Sequence, residues 1–138
     1  MKSESALTRL LIPALAYAMP GAEVLKHSDR FTFGIPDVSV NWRDTCWLEV
    51  KATETARLER HKYLGRQLLL CRRLERATGK CWFVVYRETA GVQSVGLWRP
   101  TQVLDDGRLG DCAEDFLGFD HASVAQFVKG RMHGHHTA

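Results

Sequence analysis

The chain has 138 residues, with 19 Lys and Arg against 16 Asp and Glu for a net charge of +3, and is 45% hydrophobic and 25% charged. These values suit one soluble globular domain able to bury a core, leave little room for two independent domains, and include no stretch near the roughly 20 apolar residues of a membrane span. No internal repeat, low-complexity linker or Gly-x-x-x-x-Gly-Lys loop is present, which argues against NTP hydrolysis by this chain alone.

In chain order, the first apolar segment superficially looks like a secretory leader, with Lys2 and Arg9 ahead of Leu10 and Ala16-Tyr17-Ala18. Glu4 spoils the basic start and Pro13 interrupts the apolar run. Leu7, Leu10, Leu11, Ala14 and Ala18 fall on one helical face, so an amphipathic helix is expected instead. Glu4 opens it, where the helix dipole favours an acid.

Residues 33–41 and 45–53 are rich in β-branched and aromatic side chains and flank the polar tip Trp42-Arg43-Asp44, the pattern of a β-hairpin. A three-residue tip sets Asn41 against Thr45, Val40 against Cys46, Val38 against Leu48 and Asp37 against Glu49. Alternation agrees: Val38, Val40, Cys46, Leu48 and Val50 share one face, and Asp37, Glu49 and Lys51 the other. Opposed carboxylates repel unless a positive charge lies between them. Two hard oxygen donors suit Mg2+ or Mn2+, which keep waters and complete their shells with substrate phosphate. Lys51 could then orient or deprotonate a water, or neutralise charge on a scissile phosphate. The bland alternative is a surface hairpin with a solvated Glu49–Lys51 pair.

A long helix is expected over 57–78, with Leu58, Leu64, Leu68 and Cys71 as its core stripe packing on the apolar hairpin face, and Gly79 as its stop. Residues 57–76 carry seven basic groups against Glu59 and Glu75, net +5, so the helix could track phosphates. Arg57, Arg60, Lys62 and Arg66 are the candidate nucleic-acid contacts, and Gln67 lies one turn from Tyr63. Residues 81–87 read as a central strand covered on both faces, 95–98 as a further strand, and 120–129 as a last helix N-capped by Asp120. Residues 101–138 hold three Lys and Arg against six acids, net −3, which leaves +6 for residues 1–100. A basic core over 1–100 with an acidic appendage over 101–138, in one globular domain, is the expected organisation. Cys46, Cys71, Cys81 and Cys112 form no Cys-x-x-Cys pair and read as free thiols of a reducing cytoplasm. His133, His135 and His136 read as a terminal tail.

Pro36-Asp37 followed by Glu49-Val50-Lys51 resembles the PD-(D/E)xK nuclease superfamily, and within it the virus-type replication-repair nuclease (VRR-NUC) group with its Holliday-junction-resolvase-like proteins. The resemblance covers about residues 3 to 90. It implies a restriction-endonuclease-like αβββαβ core, a mixed sheet flanked by helices. It also implies Asp37, Glu49 and Val50 as metal-binding positions, Lys51 as the working amine, and Gln67 and an N-terminal glutamate as assistants. Glu4 is the better match for that glutamate and Glu23, just before the first strand, the weaker. The implied activity is Mg2+- or Mn2+-dependent cleavage of DNA, branched or duplex, by a homodimer. RNA or single-stranded DNA as substrate, or a non-catalytic DNA-binding module on the same fold, stays open to these residues.

Overall fold

The computed structural model describes residues 1–28 and 34–132. Its elements are α1 (Glu4–Ala18), β1 (Glu23–Lys26), β2 (Val38–Trp42), β3 (Asp44–Thr53), α2 (Leu64–Thr78), β4 (Cys81–Thr89), β5 (Val92–Trp98), a 3-10 turn at Pro100–Gln102, β6 (Glu114–Leu117) and α3 (His121–Met132). The first six form the αβββαβ core, and β5, β6 and α3 extend it. The six strands lie in chain order across one sheet. All neighbours are antiparallel except β3 and β4, which run parallel and therefore need the α2 crossover between them.

The hairpin has the register that alternation demands: Val38 faces Leu48, Val40 faces Cys46 and Asn41 faces Thr45. The ladder continues one pair further than expected, to Trp42 and Asp44, which makes Arg43 the tip residue, with φ 72°. Lys80 ties this end down through a 2.8 Å ion pair with Asp44. Of the expected first strand, Phe33 lies outside the described residues, as do His133, His135 and His136, and pairing starts at Val38.

The sheet separates two apolar layers. Leu7, Leu11 and Leu15 of α1 and Val124, Val128 and Met132 of α3 are buried against Val38, Val40, Cys46, Leu48, Val50, Trp82, Val84 and Tyr86. Each fully buried leucine contributes about 1.5–3 kcal/mol. Leu10, placed on the core face by periodicity, is 43% exposed, and Leu15 takes its place. On the opposite layer Leu64, Leu68 and Cys71 of α2 pack with Leu58, Phe83, Val85 and Trp98.

Two expectations about α2 are therefore corrected. It covers the face bearing Glu49 and Lys51, not the apolar hairpin face, which the leucine stripe of α1 has already taken. It also starts at Leu64 rather than at residue 57. Leu58 N–H donates to Gly107 O at 2.7 Å, Arg57 bridges to Arg108, and the Thr53 and Thr55 hydroxyls donate to Arg57 O. Those bonds hold residues 54–63 in non-helical backbone, so Arg57, Arg60 and Lys62 precede the helix, and only Arg66 lies on it. At the other end Gly79 adopts φ 68° and donates to Glu75 O, the expected stop.

Beyond residue 100 the chain adds β6 to the sheet edge and α3 to the α1 layer. The short strand β6 was not legible: it offers only four residues, two of them acids. Its neighbourhood returns charge to the rest of the molecule, through Asp105 on Arg72, Asp106 on Arg57 and Asp115 on Arg87. Asp120 caps α3 as expected, accepting the Ser123 N–H at 2.9 Å. All four cysteines are free thiols. Among the described residues no helix is long and apolar enough to cross a membrane.

Candidate active site

Strand β2 begins at Val38, whereas β3 runs on to Thr53, so the last turn of β3 has an edge that β2 does not cover. Alternate residues of a strand direct both N–H and C=O to one edge, and here these are Val50 and Ala52. Two carboxylates cap them. Asp37 Oδ2 accepts the Val50 N–H at 2.8 Å, and Glu4 Oε2 accepts the Ala52 N–H at 3.0 Å. Continuing the register would set Pro36 against Val50, and proline has no N–H to give. The Val50 carbonyl, lying between the two capped amides, thus receives no main-chain donor from Pro36.

Gly34 brings this corner close to α2. Its φ is +96°, and a Cβ there would stand 2.9 Å from Arg66 O. Only glycine permits both the left-handed backbone and the approach. Asp37 is then fixed from both sides, its carbonyl accepting the His27 N–H at 2.8 Å and its own N–H donating to Glu49 Oε1 at 3.2 Å.

Glu49 is 1% exposed and Lys51 is 5% exposed. Lys51 Nζ stands 3.4 Å from Glu49 Oε2 and donates to Gln67 Oε1 at 2.6 Å. An ammonium has three donors, so one remains beyond these contacts. Burial pushes the Asp37 carboxyl above its usual range, against the hydrogen bonds from Val50 and Glu49. Glu49 is pushed well above its ordinary value of 4.5 by burial first and the neighbouring Asp37 charge second, with Lys51 opposing.

The structure thus brings together Asp37, Glu49, Lys51, Gln67, Glu4 and the main chain of Val50. Glu23 is not among them: it pairs with Asn41, toward the hairpin tip. A cavity of about 340 Å3 opens on this cluster, lined by Glu4, Lys51, Ala52, Leu58, Glu59 and His61 among others. His61 and Glu59 carried no signal in the sequence, since only the non-helical path of 54–63 places them here. His61 Nδ1 accepts the Tyr63 N–H at 3.2 Å, and burial followed by the Lys51 charge lowers the ring's basicity. Arg57 and Arg60 line an adjoining cavity, Lys62 lies over the Tyr63 ring, and Arg66 is exposed in the first turn of α2.

Among the described residues no three His, Cys, Asp or Glu side chains form a metal-holding group. The oxygens present nevertheless fit a small hard cation. The buried Glu49 and half-buried Asp37 carboxyl groups and a carbonyl lacking a partner from Pro36 make a partial oxygen shell, of the kind Mg2+ completes with water and phosphate.

These features define a small α/β protein with a mixed six-stranded sheet and an acid pair at the open edge of its third strand. No protein-family model matches the chain, and no curated protein matches it. Among solved structures it is similar to Hjc of Archaeoglobus fulgidus, a Holliday junction resolvase from an archaeal hyperthermophile, with a TM-score of 0.51 and 17% sequence identity. The likeness covers 88% of this chain and 98% of that one. At this identity it shows the shared fold.

Proposed function

We propose that the chain is a metal-dependent endonuclease that hydrolyses DNA phosphodiester bonds, with branched DNA such as a Holliday junction as its preferred substrate. The observation that carries this reading is the convergence of Asp37, Glu49 and Lys51 on one uncovered strand edge, with Gln67 holding the amine. The resolvase-like fold and the Pro36-Asp37 and Glu49-Val50-Lys51 pattern support it.

In this reading Asp37, Glu49 and the Val50 carbonyl hold Mg2+ or Mn2+, which when bound supplies Lewis acidity and a more acidic water. Burial raises the proton affinity of Glu49, so the cation would compete with a proton there, and Asp37 positions Glu49 through its main-chain N–H. Lys51 keeps one donor for a non-bridging phosphate oxygen and so opposes the charge that builds there. Gln67 fixes the amine in that direction, and Glu4 holds the end of the strand and an oxygen beside the Val50 carbonyl. Arg57, Arg60, Lys62 and Arg66 contact the nucleic acid flanking the cut.

The finer assignments belong to the same proposal: VRR-NUC membership, a homodimer making paired cuts, work in DNA recombination and repair, a cytoplasmic setting that keeps the thiols reduced, and a single domain in which residues 101–138 complete the 1–100 core. The test is cleavage of labelled four-way junction, flap, duplex, single-stranded DNA and RNA with Mg2+, Mn2+ or EDTA, by wild type and by Glu49→Gln. Metal-dependent cutting of DNA that vanishes in the folded variant is the expected result. Wild-type turnover by that variant would overturn the assignment.

A further inference from the structure

Beside the cavity that holds Glu4 and Lys51 lies a larger one of about 550 Å3, and the two share Ala52, Leu58 and Glu59 as common wall. Its size falls within the roughly 300–1,000 Å3 of pockets that enclose a small organic ligand. The lining is mixed in a telling way. Met1, Ala52 and Leu58 supply apolar surface, Glu54, Glu59 and Arg60 bring charge, and Arg57 on the same wall is paired with Asp106 at 3.3 Å. With Arg57 engaged, a phosphate here would meet two carboxylates against Arg60 alone, whereas the neighbouring cavity sets Lys2 and Lys51 beside its own two carboxylates. A neutral nucleobase meets the opposite situation: its flat face suits the apolar wall and the plane of a guanidinium, and its exocyclic amine suits a carboxylate.

We infer that this second cavity receives an unpaired nucleobase next to the scissile phosphate, so that the site selects a phosphodiester flanked by an unstacked nucleotide. The inference rests on the nuclease reading for the phosphate beside Lys51, and it names the substrate feature that the site would recognise. Arg60 stacks on the base, and among the described residues it makes no ion pair that would hold it elsewhere. Glu54 and Glu59 accept from the exocyclic amine, which favours adenine or cytosine over thymine. A base within continuous duplex is paired and stacked and cannot enter without the cost of unstacking. Junction centres, flaps and single strands present such a base freely.

The test uses a branched DNA carrying 2-aminopurine at one unpaired position, or the same fluorophore moved into paired duplex, titrated with the full chain in EDTA. Wild-type protein should change the fluorescence of the unpaired probe and leave the paired one unaltered. Glu54→Trp, which fills the cavity from an exposed position, and Arg60→Ala, which removes the stacking plane, should both lose that response. Arg60→Ala, or an abasic nucleotide at the same place, should weaken binding about fivefold or more. Equal responses from paired and unpaired probes, or a full response in folded Glu54→Trp, would overturn the inference. Cleavage with Mg2+ is measured in parallel. A normal fluorescence response with no cutting of any substrate supports the base pocket while removing the nuclease reading.

Discussion

Glu4 and Ala52 are 48 residues apart in sequence, yet Glu4 Oε2 accepts the Ala52 N–H at 3.0 Å and so ties the first turn of α1 to the end of β3. The bond lies at the surface, so its loss should cost no more than about 0.5–1.5 kcal/mol. Glu4→Ala should therefore fold and melt near wild type while its cleavage rate falls, because an oxygen beside the Val50 carbonyl is gone. Glu23→Ala, altered at the hairpin tip, should cut like wild type. Equal rates for all three proteins would remove Glu4 from the site.

Gln67 Oε1 holds Lys51 Nζ at 2.6 Å. Gln67→Leu keeps the volume and loses the acceptor, so Lys51 is left to Glu49 alone. The expected effect is a roughly 10–100-fold fall in kcat with little change in KM, the size seen when an outer partner of a working group is lost. Gln67→Glu restores an acceptor and should recover part of it. Single-turnover kinetics on one junction substrate would separate these outcomes.

The acid pair gives a pH dependence with a definite sign. Glu49 binds its proton more tightly when folded than its ordinary value of 4.5, so the folded state holds the extra proton as pH rises above that value. Stability from this group is present at low pH and is lost as pH climbs through the folded value. In EDTA, wild type should lose stability relative to Glu49→Gln as pH rises above 4.5. Added Mg2+ competes with that proton, so its stabilising effect should grow over the same interval. Thermal melts of both proteins at several pH values, with EDTA or Mg2+, check the sign directly.

Gly34 has no room for a side chain: φ is +96° and a Cβ would meet Arg66 O at 2.9 Å. Gly34→Ala should destabilise by about 1–3 kcal/mol. Because the Asp37 turn leans on α2 at this contact, activity should fall further than the lost stability explains. A melt paired with a cleavage rate below the melting range would show it.

The hairpin was legible because two independent signals agreed. Val38, Val40, Cys46, Leu48 and Val50 alternate correctly only in the register that also closes the tip, and that register carries Asp37 to Glu49, where its N–H meets Oε1 at 3.2 Å. Gln67 was legible through resemblance alone, since nothing in helical periodicity marks it. The start of α2 and its choice of face were not legible. Both depend on Leu58 bonding Gly107 and on α1 having taken the other layer, which are contacts between distant segments. Strand β6 failed for a different reason, because a four-residue edge strand with an exposed pattern carries too little alternation to read.

The uncovered edge of β3 has a further consequence, for solubility. Bare strand edges invite another chain to add on, and proteins guard them with charge. Asp37 and Glu4 occupy the amides of Val50 and Ala52, so the acids of the site also act as gatekeepers against strand addition. A chain altered to Asn at Asp37 and Gln at Glu4 would lose that charged guard, and its concentrated solutions should turn cloudy before those of the wild type.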